Sequence, residues 1–227
     1  MAFSCSILIS TFGDSRWRDL ACKRAWPSAT DQGAHEIIVE HQPEGTVASS
    51  RNAAAERAAG DFLCHLDADD ELAQGYLSAM RRVYEREQLP AGSQLLLTPA
   101  VQFVRNGRPQ RARLMPFVDY RQGNYLIIGT LVPRSLFLEV GGFPDEPRYG
   151  AWEDWHFWAR CQMAGAKIIQ VPRATYIAHM EPDSRHRSVP HEDRIRWHYE
   201  VGHDLFPELY PPEWLNQHLR GRRRVRA

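Results

Sequence analysis

Residues 64–71 read CHLDADDE, so Asp67, Asp69, Asp70 and Glu71 crowd directly behind an apolar run. Carboxylates this close repel one another, raise one another's proton affinity and cost stability unless positive charge shares the space. A divalent cation removes that cost. Hard ions such as Mg2+ and Mn2+ take carboxylate oxygens, and Mg2+ often combines one or two carboxylates with substrate phosphates. The alternation lets one aspartate face the ion and the other a ribose or a bound water. Capping of a following helix accounts for Asp69, Asp70 and Glu71, which suit its positive N-terminus, but leaves Asp67 unexplained. An EF-hand calcium loop is excluded, because Leu72 stands where that loop requires glycine.

Glu153 and Asp154 form a second acidic pair, within WEDWHFW (152–158). Apolar rings around a carboxylate lower the local dielectric and raise its pKa, which improves it as a base toward a hydroxyl within hydrogen-bond reach. Pairing with a helix dipole, with the aromatics as core, is the alternative. Trp155 and Trp158, three residues apart, are expected inside; Trp152, just ahead of the helix, is the candidate ligand platform. His179 follows the run ATYIA, and its spacing to His186 and His191 fits no common zinc finger.

A repeated unit must position these groups. FSCSILIS (3–10), HEIIVE (35–40) and DFLCHLD (61–67) are short apolar runs, read as buried strands. SRWRDLACKRAW (15–26) has helical spacing and is ended by Pro27. TVASSRNAAAERAAG (46–60) is an Ala-rich helix closed by Gly60, and ELAQGYLSAMRRVYEREQ (71–88) is a third helix. This alternation implies right-handed crossovers, a parallel sheet with helices on both faces, and ligands at the carboxyl ends of the strands. The acidic turn stands at such an end. After Pro90 come a strand in SQLLLTPAVQFVRNGR with a turn at Asn106-Gly107, an irregular stretch and a strand in LIIGTLVPR (126–134). A short helix in SLFLEVGGF, an aromatic helix in WEDWHFWARCQMAG, one or two strands in AKIIQVPRATYIAHM and helices around HEDRIRWHYEVGHDLF and PPEWLNQHL complete the chain.

The 227 residues suit one well-buried domain. Lys+Arg and Asp+Glu balance at 28 each, so bulk charge points to no nucleic-acid partner. The tail RGRRRVRA (220–227) is either a frayed end or a weak contact with an anionic membrane surface or a phosphorylated partner. Four scattered cysteines argue against a disulfide framework and for a cytoplasmic location, which includes the inner face of a membrane. No run approaches the ~20 apolar residues of a membrane span, and the first apolar run is too short for a signal peptide. Oligomeric state is left open.

Taken in order, SILISTF, EIIVE, SSRNAAAERAAGDFLCHLDADD, GGF followed by WEDWHFWAR, and ATYIAHMEPDSRHR resemble the motifs of the inverting family 2 glycosyltransferases of the GT-A fold, over roughly residues 3–187. The resemblance implies an α/β, Rossmann-like, mostly parallel sheet flanked by helices in residues 1–187. A nucleotide-binding half (1–90) and an acceptor half (91–187) would be followed by a helical C-terminal extension (188–227). It implies non-processive, inverting transfer of a sugar from a UDP-, GDP- or dTDP-sugar donor to a saccharide, lipid-linked or protein acceptor. Asp69 would then hold the Mn2+ or Mg2+ that bridges the diphosphate, His179 would complete the metal site, and Asp67 would lie near the ribose or a metal-bound water. Thr11 and Glu40 would line the base site, and Arg51 would lie near the base or diphosphate. Asp154 would be the general base, with Glu153 assisting through acceptor contacts. Arg185, His186 and Arg187 would neutralise the departing diphosphate.

Two departures from the family pattern stand out. EHQPEG follows the second strand where the family has DDGS, and DRIRW (193–197) carries Asp193 where processive synthases carry Gln. A non-catalytic nucleotide-sugar or glycan binding module of the same fold is the alternative, and the intact pair Glu153–Asp154 argues against it. A nucleotidyltransferase would carry a glycine-rich basic phosphate loop that STFGDSRWR lacks.

Overall fold

The computed structural model describes residues 3–87, 93–180 and 189–220. The expectations for Arg185, His186, Arg187 and the tail from residue 221 therefore fall outside the described residues.

The first apolar runs form β1 (Cys5–Phe12), β2 (Glu36–Gln42) and β3 (Phe62–Asp67), parallel and in the order β2–β1–β3. Ile7, Leu8 and Ile9 are fully buried, as a central strand covered on both faces requires. β2 departs from the expected buried strand. It is the edge of the sheet, and within it Ile38 alone is buried.

Helix boundaries also differ from the reading. The first helix is two, α1 (Arg16–Lys23) and α2 (Ala25–Thr30), broken at Arg24 with φ −122° and ψ −67°. Pro27 does not end it. It lies in the first turn of α2, where a missing N–H costs no intrahelical bond. α3 (Val47–Arg57) is capped reciprocally: Thr46 Oγ1 accepts from Ser49 N–H at 3.0 Å and Ser49 Oγ from Thr46 N–H at 2.9 Å. It ends at Ala58 in extended conformation, so Gly60 is not its cap. Gly60 instead lets the chain pass close to β1, since a Cβ there would lie 2.7 Å from Ser6 N.

Residues 71–72 do not open a helix. They form β4 (Glu71–Leu72), antiparallel to β8 (Lys167–Met180), and the helix α4 runs Tyr76–Glu87. β8 also pairs in parallel with β5 (Leu95–Arg105), with a register jump where Pro99 faces Val171 and Ala100 faces Thr175. β5 turns at Asn106 and Gly107, with φ of 50° and 71°, into β6 (Arg108–Pro109), as the Asn-Gly pair predicts. LIIGTLVPR yields only β7 (Val132–Pro133), antiparallel to β3. Its first half is a turn, closed by Thr130 N–H on Ile127 O at 2.9 Å and pressed against the Tyr176 ring at Gly129. Among the described residues the strands make two four-stranded sheets, β2–β1–β3–β7 and β4–β8–β5–β6, in place of one. The parallel α/β core is retained in the first.

The remaining helices are α5 (Arg134–Glu139), α6 (Glu153–Met163), α7 (His191–Leu205) and α8 (Pro212–Arg220). Trp155 and Trp158 are both 1% exposed, as their spacing predicts. Trp158 joins the main core. Trp155 joins a second cluster with Tyr149, Val201, Phe206 and Tyr210, so the C-terminal helices brace the start of α6. Gly150 permits this packing: its φ is 59°, and a Cβ would lie 1.9 Å from the Trp197 ring. No helix among the described residues is long and apolar enough to cross a membrane.

Candidate active site

The carboxyl ends of β1, β2 and β3 lie side by side, because Ser10 pairs with Glu40 on one flank and with Asp67 on the other. Thr11, Glu40 and Asp67 therefore share one end of the sheet. Thr11 is buried; its Oγ1 donates to Glu40 O at 3.3 Å and lies 2.9 Å from His41 Nδ1. The Glu40 carboxylate pairs with Arg57 of α3 at 2.7 Å. His41 belongs to this corner although no motif marked it.

The acidic turn divides its labour. Asp70 N–H closes the turn on Asp67 O at 3.1 Å. The Asp70 carboxylate is buried and accepts from His179 N–H at 2.8 Å, tying the turn to β8. Burial, then the charges of Asp69 and Asp67, push its pKa well above the usual carboxylate range. Glu71 Oε2 lies 2.6 Å from His179 Nε2. Asp67 and Asp69 are only partly covered. Arg24 donates to the Asp69 carbonyl at 2.8 Å, and Asp67 N–H donates to the Tyr176 hydroxyl at 3.3 Å.

Arg51, expected near the base or diphosphate, is a buried residue. It is 6% exposed and projects from α3 between the two acidic sites. Its guanidinium donates to Asp67 Oδ1 at 2.7 Å and to Glu153 Oε1 at 3.1 Å, and rests over the Phe143 ring at 5.2 Å. Burial alone would lower its pKa; the charges of Asp67 and Glu153 outweigh that and raise it. Asn52, the next residue, accepts from Phe143 N–H at 2.9 Å and donates to Phe143 O at 2.8 Å, which fixes the loop that leads toward α6.

Glu153 is buried and Asp154 half-buried at the start of α6. Asn124 donates to Asp154 Oδ2 at 2.8 Å. Burial, then the charge of Glu153, pushes the Asp154 pKa up to about 7, against the opposing pull of Arg51. This is the range in which a carboxylate exchanges protons at neutral pH. Trp152 packs edge-on against Trp155 and His198, at 5.9 Å and 5.2 Å, within the second aromatic cluster. Asn124 was invisible in the sequence, since it lies in a stretch with no periodicity. Its only signal is a side chain able to donate.

The donor set of the acidic turn, oxygen atoms from carboxylates, has the chemistry of a hard-cation site. Among the described residues no three His, Cys, Asp or Glu side chains gather closely enough to hold an ion by themselves. A cation here would need oxygens from a diphosphate or water as well, the usual arrangement for Mg2+.

Residues 28–124 match the sequence family described as Glycosyl transferase family 2. Curated protein sequences give no match. Among solved structures, S. aureus TarS superposes with a TM-score of 0.63 at 16% identity, covering 96% of this chain and 44% of its own. Its 1–349 form in complex with UDP-GlcNAc gives a TM-score of 0.57 at 16% identity, covering 88% of this chain and 65% of that one. The same form in complex with UDP gives 0.53 at 17%, covering 95% and 72%. The chain thus spans less than half the length of full TarS. Over residues 28–124 the chain is thus similar to glycosyl transferase family 2, and it shares its fold with the TarS structures.

Proposed function

We propose that the chain transfers a sugar from a nucleoside-diphosphate sugar to an acceptor hydroxyl, with inversion, in a metal-dependent and non-processive reaction. The observation that carries this reading is the convergence of the acidic turn after β3 and the acidic pair of α6 on one residue, Arg51. In this reading a donor site and a base for the acceptor meet at that residue. The TarS complexes with UDP-GlcNAc and UDP favour a UDP-sugar as donor. In this reading Thr11, with His41 beside it, and Glu40 receive the base, and Asp67 serves the ribose or a metal-bound water.

Asp69 would hold Mn2+ or Mg2+. His179, its Nε2 engaged by Glu71, would complete the site; such carboxylate–histidine pairing fixes ring orientation. When bound, the ion neutralises the departing diphosphate as a Lewis acid. Asp154 takes the acceptor's hydroxyl proton as that oxygen bonds to the anomeric carbon from the face opposite the breaking bond to phosphate. The bonding pair leaves with the nucleoside diphosphate. Glu153 assists through acceptor contacts. The GT-A unit of 1–187 carries the chemistry, and helices α7 and α8 of the extension that follows brace it. The acceptor is a saccharide, lipid-linked or protein hydroxyl. A cytoplasmic location, with the basic tail making peripheral membrane contact, completes the proposal.

The test is UDP release from UDP-GlcNAc with Mn2+, with and without EDTA, together with Asp154→Asn. Chelation should abolish turnover. The Asn variant should bind UDP with parental affinity by calorimetry and turn over at least a hundredfold more slowly, within the ~10²–10⁴ typical of a lost general base. A near-parental rate refutes the assignment of Asp154. UDP binding with no turnover by the parent chain would favour the binding-module alternative.

A further inference from the structure

We propose that Arg51 is a positioning residue and not a donor ligand: its buried guanidinium ties Asp67 at the end of β3 to Glu153 at the start of α6 and supplies positive charge beside the acidic pair of α6. This inference rests on the reading of Asp154 as the base.

Three observations support it. Arg51 is 6% exposed and its two donor bonds, 2.7 Å to Asp67 and 3.1 Å to Glu153, point to carboxylates from opposite halves of the chain. Its guanidinium face lies on Phe143, whose backbone is clamped by Asn52, so the side chain has little freedom to swing toward a ligand. Asp154 also stands among negative neighbours. Glu153 on its own helix and Asp67 on β3 both hold its proton on, the Asn124 amide and its own helix N–H are neutral, and Arg51 is the cation that opposes them. His65 on β3, stacked on Phe137 and edge-on to Phe143, is held neutral by burial and by the charge of Arg51, so it adds no second cation.

Arginine suits this place because its planar fork bonds two carboxylates at once and stays charged when buried. An arginine that swung out to the donor's phosphates would leave Glu153, whose side chain is 10% exposed, buried without its cation, a cost that buried ion pairs make severe.

The test reads the Asp154 carboxyl directly, by 13C NMR of the chain labelled at aspartate and titrated from pH 4 to 10, with Asp154→Asn identifying its signal. No substrate is needed, so the result stands apart from any failure of the proposed reaction. In Arg51→Gln the midpoint should rise by roughly one unit, the low end of the shift an adjacent opposite charge produces. In Arg51→Lys, which keeps the charge, it should stay within a few tenths of the parent. UDP affinity should change less than threefold in both. Glu153→Gln, which keeps a bond to Arg51 and removes the competing anion, should lower the midpoint, and it remains readable if the Arg51→Gln chain does not fold. An unmoved midpoint in Arg51→Gln, or in Glu153→Gln, overturns the proposal. So does a tenfold loss of UDP affinity in Arg51→Lys, which would return Arg51 to the donor.

Discussion

Replacing Asn124 by Leu separates the two influences on the proposed base. The Asn124 amide donates to Asp154 Oδ2 at 2.8 Å, and a hydrogen bond to an ionised group contributes about 1.5–3 kcal/mol. That bond favours the charged carboxylate, so its loss favours the protonated form. At ~1.4 kcal/mol per pKa unit the midpoint should climb by roughly one to two units from its place at about 7. The acid limb of turnover then moves to about pH 8–9. At pH 7, where about half the parent's Asp154 is ionised, the variant should retain roughly a tenth to a hundredth of full activity, and it should recover as pH rises. The assay is UDP release from UDP-GlcNAc with Mn2+ between pH 5.5 and 9.5, each point taken at saturating donor. A uniform loss at every pH, with the limb in its old place, refutes the reasoning and assigns Asn124 to acceptor contact alone.

Asp154→Asn should also report on stability. The folded pKa of Asp154, about 7, lies above its unfolded value, so the folded state holds the proton more tightly and the carboxylate destabilises the fold as pH rises. The melting-temperature gap in favour of Asn should widen from pH 4 to pH 7 and be flat above, measured by circular dichroism. Gly150→Ala should destabilise by at least ~1–3 kcal/mol in urea titration, because its methyl meets the Trp197 ring at a positive φ. Asp70→Asn keeps an acceptor for His179 N–H and should melt within a few degrees of the parent, whereas Asp69→Asn should remove Mn2+-dependent turnover; a reversed ranking of the two would reject the division of roles within the turn.

The parallel core was legible because burial on both faces leaves a continuous apolar run, and SILIS and FLCHL have nothing else to be. β2 looked the same and is an edge, since HEIIVE carries no mark of which flank it occupies. The breaks at Arg24 and after Arg57 escaped for a related reason: propensity favours helix through both, and the packing that stops it lies elsewhere in the chain. Glu71 and Leu72 read as the first turn of a helix and became a strand because β8, about a hundred residues later, offers a partner edge. The functional corner follows the same rule. Residue type and spacing expose Asp67 and Asp69 as a pair and Glu153 and Asp154 as a pair. They do not reveal that one arginine, 16 residues before the first pair and 102 before the second, joins them. A sequence shows a guanidinium as a charge in want of an anion, and a family resemblance supplies the nearest anion it knows, a nucleotide. The fold offers Arg51 two carboxylates first, in a place that water barely reaches. That is why a residue whose sequence context suggests a ligand for the donor is found, in the folded chain, paired with Asp67 and Glu153.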